Sequence, residues 1–202
     1  MKPFPNHLLG ALFLVVACAP AERGQDGEAR ASDPAGAGTS TLWTVSEDAI
    51  GPFRGDTPFD ASTIASLAPG YEIDTATRSS EGLDYTVFLL RTANGSAPVA
   101  EVAEAFPPGT IGEVTLHAAG LVDNPRIDIG GRFADSGFSA DDCLPGMEAL
   151  SGLVVCTDPA NPQLGYWFDP SPYAGPDGEL PPAAVLEDAT VTFLRWWKPV
   201  PG

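Results

Sequence analysis

Acyl-transfer chemistry of the serine-hydrolase kind needs a nucleophile, a base and a group that orients the base. Past the N-terminal leader, His117 is the one histidine, and the chain has no G-x-S-x-G turn. His117 alternates with Glu113 and Thr115, which places it on the solvated face of a strand. No Walker A loop occurs, and no G-x-G-x-x-G follows a strand, so phosphate-cradling chemistry has no sequence support. One histidine, no free thiol pair and scattered carboxylates do not make a zinc site, and neither a metal nor another cofactor is expected. Among the acids, Asp141, Asp142, Asp169, Asp177 and Glu179 are the most clustered. Two carboxylates could act on a glycosidic bond, and Asp177 and Glu179 offer the hard oxygens that suit Ca²⁺. The segment around them is not a D-x-[DN]-x-[DN]-G loop. Turn capping and solubility account for all five, so the chain is expected not to be an enzyme.

The cysteines are more informative. The chain opens MKPFPNHLLGALFLVVACAP. Lys2 is a basic start, and the apolar run from Leu8 to Ala17 is well short of the roughly twenty residues that span a bilayer. That is the form of a secretory signal, removed in the mature chain. Val15-Val16-Ala17-Cys18 looks like a bacterial lipobox, which implies acylation of Cys18 and removal of residues 1–17. Two or more acyl chains anchor a protein stably, so the membrane is expected to be a partner through the lipid on Cys18. Ala19, where an Asp would signal inner-membrane retention, favours the outer membrane with the domain facing the periplasm. Residues 19–41 contain no aromatic and only alanine among hydrophobic types, so they cannot bury a core. With Cys18 they read as a flexible tether, 18–41, whose reach is roughly 25 Å. Cys143 and Cys156 then remain, an even pair in an exported domain, and are expected to form a disulfide.

The elements that must position these residues lie in a single domain, 42–202. The chain of 202 residues carries 27 Asp and Glu against 10 Lys and Arg, a net charge of −17. Nucleic acid is excluded as a partner because its binding needs a basic surface, and so is a polybasic membrane-docking patch. With 22 Gly and 21 Pro, short strands and turns are favoured over long helices. Expected strands are 49–53, 71–74, 85–92, 97–102, 110–118, 126–129, 153–156, 164–168 and 191–197. A short helix should start at Thr57-Pro58-Phe59-Asp60, with Thr57 as cap, and bury Phe59, Ile64 and Leu67. A turn or two of helix is expected over 181–186. Asn94-Gly95 favours a two-residue hairpin. The sum is a mainly β fold with one or two short helices, α+β at the margin, built as an antiparallel sheet or sandwich. A weak internal echo runs through it. Ile50-Gly51, Phe59, Pro69-Gly70 and two strands are matched by Ile129-Gly130, Phe133 or Phe138, Pro145-Gly146 and two strands.

Trp167 and Phe168 must point to opposite faces of their strand, as must Trp196 and Trp197. One member of each pair should be core, and the exposed members could form a binding patch. CLPGMEALSGLVVC, Tyr166-Trp167-Phe168, the segment GPDGELP and Leu194-Arg195-Trp196-Trp197-Lys198 occur in one order. With Gly51-Pro52, Thr57-Pro58-Phe59 and Pro69-Gly70-Tyr71, they resemble the RpoE-regulated (YfeY-like) envelope lipoproteins, a domain-of-unknown-function family. The resemblance covers about residues 49–198 and implies an outer-membrane lipoprotein with a mainly β fold. It brings no activity and no catalytic residues. The expected function is a non-catalytic binding or structural module of the cell envelope, with an envelope protein or peptidoglycan as partner. Two alternatives stand beside it: an acidic inhibitor or sink for cationic lysozyme-like enzymes or peptides, and a glycan-active carboxylate enzyme.

Overall fold

Gly51 sits at φ 55°, and a Cβ there would come within 2.5 Å of the Trp43 ring, so the turn after Ile50 requires glycine. That turn divides the expected strand 49–53 into a hairpin, β1 (Ala49–Ile50) and β2 (Phe53–Arg54). The computed structural model describes residues 42–80, 82–123 and 125–199. The signal segment, Cys18 and the tether through residue 41 lie outside the described residues.

Helix α1 (Ala61–Leu67) is capped by Asp60, not by Thr57. The Asp60 carboxylate accepts from the Ser62 hydroxyl at 2.6 Å, the Thr63 N–H at 2.9 Å and the Thr63 hydroxyl at 2.7 Å. These bonds favour its charged form and hold its pKa at about 2. Thr57 instead accepts from the Arg54 N–H at 3.1 Å. Ile64 is buried, and Phe59 and Leu67 pack beside it, as their spacing requires.

Eight strands form one antiparallel sheet: β3 (Glu72–Ser80), β4 (Leu83–Arg91), β5 (Ala100–Glu104), β6 (Ile111–Leu116), β7 (Cys143–Pro145), β8 (Val154–Asp158), β9 (Asn161–Asp169) and β10 (Thr190–Trp197). Their order across the sheet is β3-β4-β5-β6-β10-β9-β8-β7, with open edges at β3 and β7. Asn94-Gly95 does not make a two-residue hairpin. The Gly95 N–H donates to the Thr92 carbonyl at 2.8 Å, and β5 begins only at Ala100, because Pro98 has no N–H for the ladder. Arg126 to Ile129 forms no strand despite its alternation. The Arg126 N–H goes to the Tyr166 hydroxyl at 3.1 Å, and its guanidinium goes to the carbonyls of Ser136 at 2.9 Å and Gly137 at 2.6 Å. Helices α2 (Phe133–Ser136) and α3 (Ala183–Leu186) are one turn each, so the described residues hold three short helices with α1.

The echo in the sequence has a structural counterpart with different boundaries. Each half is a four-strand meander, β3 to β6 and β7 to β10, and the halves meet at the antiparallel β6·β10 pair. In the first half the Phe59 N–H donates to Gly109 at 3.2 Å and the Ile111 N–H to Thr57 at 3.0 Å. In the second, the Phe133 N–H donates to Ala189 at 2.8 Å and the Val191 N–H to Gly131 at 2.9 Å. Phe59 and Phe133 are therefore equivalent. Pro69-Gly70 and Pro145-Gly146 are not, since the first precedes its meander and the second straddles the end of β7, inside its meander.

One face of the sheet packs against α1, α2, α3 and the β1–β2 hairpin. Its core holds Phe88, Leu90, Val114, Leu116, Phe168 and Trp196, with Ile64 and Leu186 from the helices. The Trp196 indole donates to the Ser46 carbonyl at 3.1 Å, which ties β10 to the chain before the hairpin. Cys143 and Cys156, directly opposite across β7 and β8, are joined by a disulfide.

Candidate functional site

Alternation along β10 sends Leu194 and Trp196 into the core and Phe193, Arg195 and Trp197 to the sheet's other face. Register places Glu113 opposite Trp197 and Thr115 opposite Arg195 on β6, and Trp167 opposite Phe193 on β9. Glu101 lies opposite Thr115 on β5, and Leu89 lies opposite Glu101 on β4. No described helix packs on this face. Its apolar cluster consists of Val87, Leu89 and Ala103 with Ala76 beside them.

Arg195 is the centre of the array. Its Nε donates to the Thr115 hydroxyl and lies against the Glu113 carboxylate, both at 3.1 Å. The Thr115 hydroxyl donates in turn to Glu113 at 3.2 Å. The guanidinium carbon sits 5.6 Å from the Trp167 ring and 5.2 Å from the Phe193 ring, and those two rings stack at 5.4 Å. Arg78 on β3 pairs with Glu101 at 2.6 Å. Tyr85, on β4, has its pKa raised by burial first and then by Glu113 and Glu101, with Arg195 and Arg78 opposing.

The solvated character expected of this face holds for His117 alone on β6 and its extension. Thr115 is buried and Glu113 half-buried, because Arg195 and the neighbouring strands enclose them. Burial pushes the Glu113 carboxyl above its ordinary range; Arg195 and the Thr115 hydrogen bond oppose the shift, and Glu101 adds to it. His117 has an edge in water, but its ring lies 6.2 Å from the Phe193 ring. Desolvation is the main cause that lowers its pKa. Arg195 and Arg78 act the same way, and Glu101 opposes them.

Of the four aromatics named from sequence, the structure sends two to each face. Phe168 and Trp196 are core residues with 0% exposure. Trp167 is on the second face at 8% exposure, and Trp197 is half-buried beside it. They do not make one four-residue patch. Gly165 explains how Trp197 lies: a Cβ there would be 2.7 Å from its Cζ3, so the ring rests on the sheet over the glycine. Buried Trp167 Nε1 has no hydrogen-bond partner.

The clustered acids lie elsewhere. Asp142 accepts from the Ser139 N–H at 2.8 Å and its hydroxyl at 2.9 Å, which lowers its pKa. Asp169 accepts from the Ser171 N–H at 2.8 Å, and Asp177 from the Ser151 hydroxyl. Asp141 and Glu179 are exposed. Sequence reading did not single out Arg195, Arg78, Glu101, Glu113 or Tyr85. The period-2 alternation placed Glu113 on a face with His117, but which strands neighbour β6 is not written in local pattern.

No protein-family model matches the chain, and no curated protein matches it. Among solved structures, the chain is similar to the crystal structure of the uncharacterized protein YfeY from Escherichia coli, at 19% identity and a TM-score of 0.63. The match covers 78% of this chain and 100% of that one. The likeness shows the fold, which is the one implied by the sequence resemblance.

Proposed function

We propose that this chain is a non-catalytic binding module of the cell envelope, held at the outer membrane by lipid on Cys18, whose second sheet face takes the partner. One observation carries the reading. The sheet commits its helices to one face and builds on the other an array of paired charges and aromatics around Arg195. Binding hot spots are enriched in Trp, Tyr and Arg, the types this face presents. The same pairing argues for binding over catalysis. Glu101 and Glu113 are each matched to an arginine.

The test is in-cell photo-crosslinking of the full lipidated chain from Tyr85 on the second face, with Glu187 on the opposite side as control. Saturable capture from Tyr85, absent from Glu187 and reduced by Trp197→Ala, is the expected result. Equal capture at both positions, or none, refutes the assignment of the face.

A further inference from the structure

We infer that the open edge of β3 pairs with the β3 edge of a second copy of this chain, antiparallel about a two-fold axis at Ala76. The inference concerns the edge of the sheet and does not rest on the face proposed above. The two open edges differ. β7 is three residues long and ends in Pro145, which has no N–H to offer a further strand. β3 runs for nine residues, Glu72–Ser80, without proline, lysine or bulge, in unbroken register with β4. Natural edges are blunted by such features, so β3 stands as a template for another strand. Its far half is also short of support on the inner side. β5 pairs with Val87 to Leu90 of β4, so Leu83 to Thr86 have β3 as their one described strand partner. A two-stranded ribbon is marginal by itself, and this one carries Leu83 at 72% and Tyr85 at 41% exposure.

The residues of the edge select a second copy as the occupant. A two-fold axis normal to the sheet keeps each face on its own side, so the numbers of paired residues must add to an even sum. Centred on Ala76, the whole of β3 pairs. Asp74 then stands opposite Arg78 of the second copy and Arg78 opposite its Asp74, so two opposite-charge pairs cross the seam. On the other face Thr75 stands opposite Thr77, a favourable hydroxyl pair. Within each copy Asp74 already holds Arg91 at 2.8 Å and Arg78 holds Glu101 at 2.6 Å. Charge therefore alternates in sign across the seam, from Arg91 and Asp74 to Arg78 and Glu101 of the second copy. Tyr85, opposite Arg78 in the ladder, borders this charged row. Ala76 packs on the cluster of Val87, Leu89 and Ala103, and the axis sets two such clusters side by side. Centring on Thr75 or Thr77 instead shortens the pairing and sets Ala76 opposite a charge. The net charge of −17 opposes association at long range. At physiological salt that repulsion is screened beyond about 8 Å.

The test is in-cell cysteine trapping with the full chain. Ala76→Cys puts two thiols opposite each other across the axis, with Cβ atoms about 4.5–5.5 Å apart. Glu72→Cys, on the same strand and face, stands roughly 27 Å from its counterpart in the second copy. Mild oxidation should give a covalent homodimer from Ala76→Cys and only background from Glu72→Cys. Two charge variants then test the register in the Ala76→Cys background. Asp74→Arg or Arg78→Asp alone sets like charges opposite each other twice, and each should cut the dimer by roughly fivefold or more. Co-expressed under different tags, the two variants complement each other, and the mixed dimer should return to the parent yield. Circular dichroism on each purified variant checks folding. Equal trapping from positions 76 and 72, or none, overturns the inference, as does a mixed dimer no more abundant than that of either variant alone. Trapping of Ala76→Cys to a different protein gives the edge to another strand and overturns the second copy as occupant. A dimer through β3 leaves Arg195 uncovered several strands away, so capture of a different protein from Tyr85 tests the face separately.

Discussion

Gly165→Ala should tilt Trp197 off the sheet, and the size of the effect can be worked from contacts. Gly165 lies in β9 without a positive φ, so alanine brings no backbone strain. Its Cβ would stand 2.7 and 2.9 Å from the Trp197 ring and 3.0 Å from Val155 Cγ2, inside ordinary contact distance. Overpacking of this kind destabilises by about 1–3 kcal/mol. Trp197 is half-buried and can swing outward, so the low end applies. Loss of glycine's freedom in the unfolded chain returns about 0.4–1 kcal/mol. The net expectation is a loss of about 0–0.6 kcal/mol, or a Tm lower by at most about 2 °C for a domain of this size. In a Trp197→Ala background the ring contact is gone, and Gly165→Ala should be neutral or slightly stabilising. The coupling is then about 1 kcal/mol, above the roughly 0.3–0.5 kcal/mol scatter of independent sites. Urea unfolding of the four chains, followed by far-ultraviolet circular dichroism, measures it. Additivity within that scatter would refute the packing of the Trp197 ring over Gly165.

Cys143→Ser with Cys156→Ser should lower unfolding stability by about 3 kcal/mol, the chain-entropy value for a short closed loop. A urea midpoint unchanged on reduction of the wild type would contradict this. For Asp60, the carboxylate is held at about 2, below its ordinary value of 3.8, so its contribution is present above pH 3.8 and lost as pH falls through about 2. The stability difference between wild type and Asp60→Ala should therefore shrink over that window, and a constant difference would rule the linkage out. Glu113 has the opposite sign. Its carboxyl is raised, so wild-type stability relative to Glu113→Gln should fall as pH rises from 4.5 through the raised folded pKa. Matched denaturation midpoints across pH 4–8 check the direction. Trp196→Ala removes a fully buried side chain and its bond to Ser46, and should cost about 3–5 kcal/mol; a folded, wild-type-like variant would be incompatible with the core described.

What the sequence determined by itself is local or compositional. The period of two in Thr110 to Ala118 and Val191 to Trp197 sets which side chains share a face, so the splitting of Trp196 from Trp197 needs no fold. An even cysteine pair separated by turn signals is enough for Cys143–Cys156. The signal and lipobox expectation is local too, but it falls on residues outside those described and nothing in the structure bears on it. Local rules failed where a longer-range partner competed. Arg126 to Ile129 has strand alternation, but Arg126 finds Tyr166, Ser136 and Gly137, so no ladder forms. Thr57 is a good cap by type, yet Asp60 has the carboxylate that reaches two hydroxyls and an N–H. Only the tertiary structure decided the site. Arg195 meets Thr115 because β10 pairs with β6 across a separation of 80 residues, and Trp167 meets Phe193 because β9 pairs on the other side. Strand order is chosen by how two meanders bury one common core. That choice depends on the sum of many contacts distant in sequence, and no single segment records it.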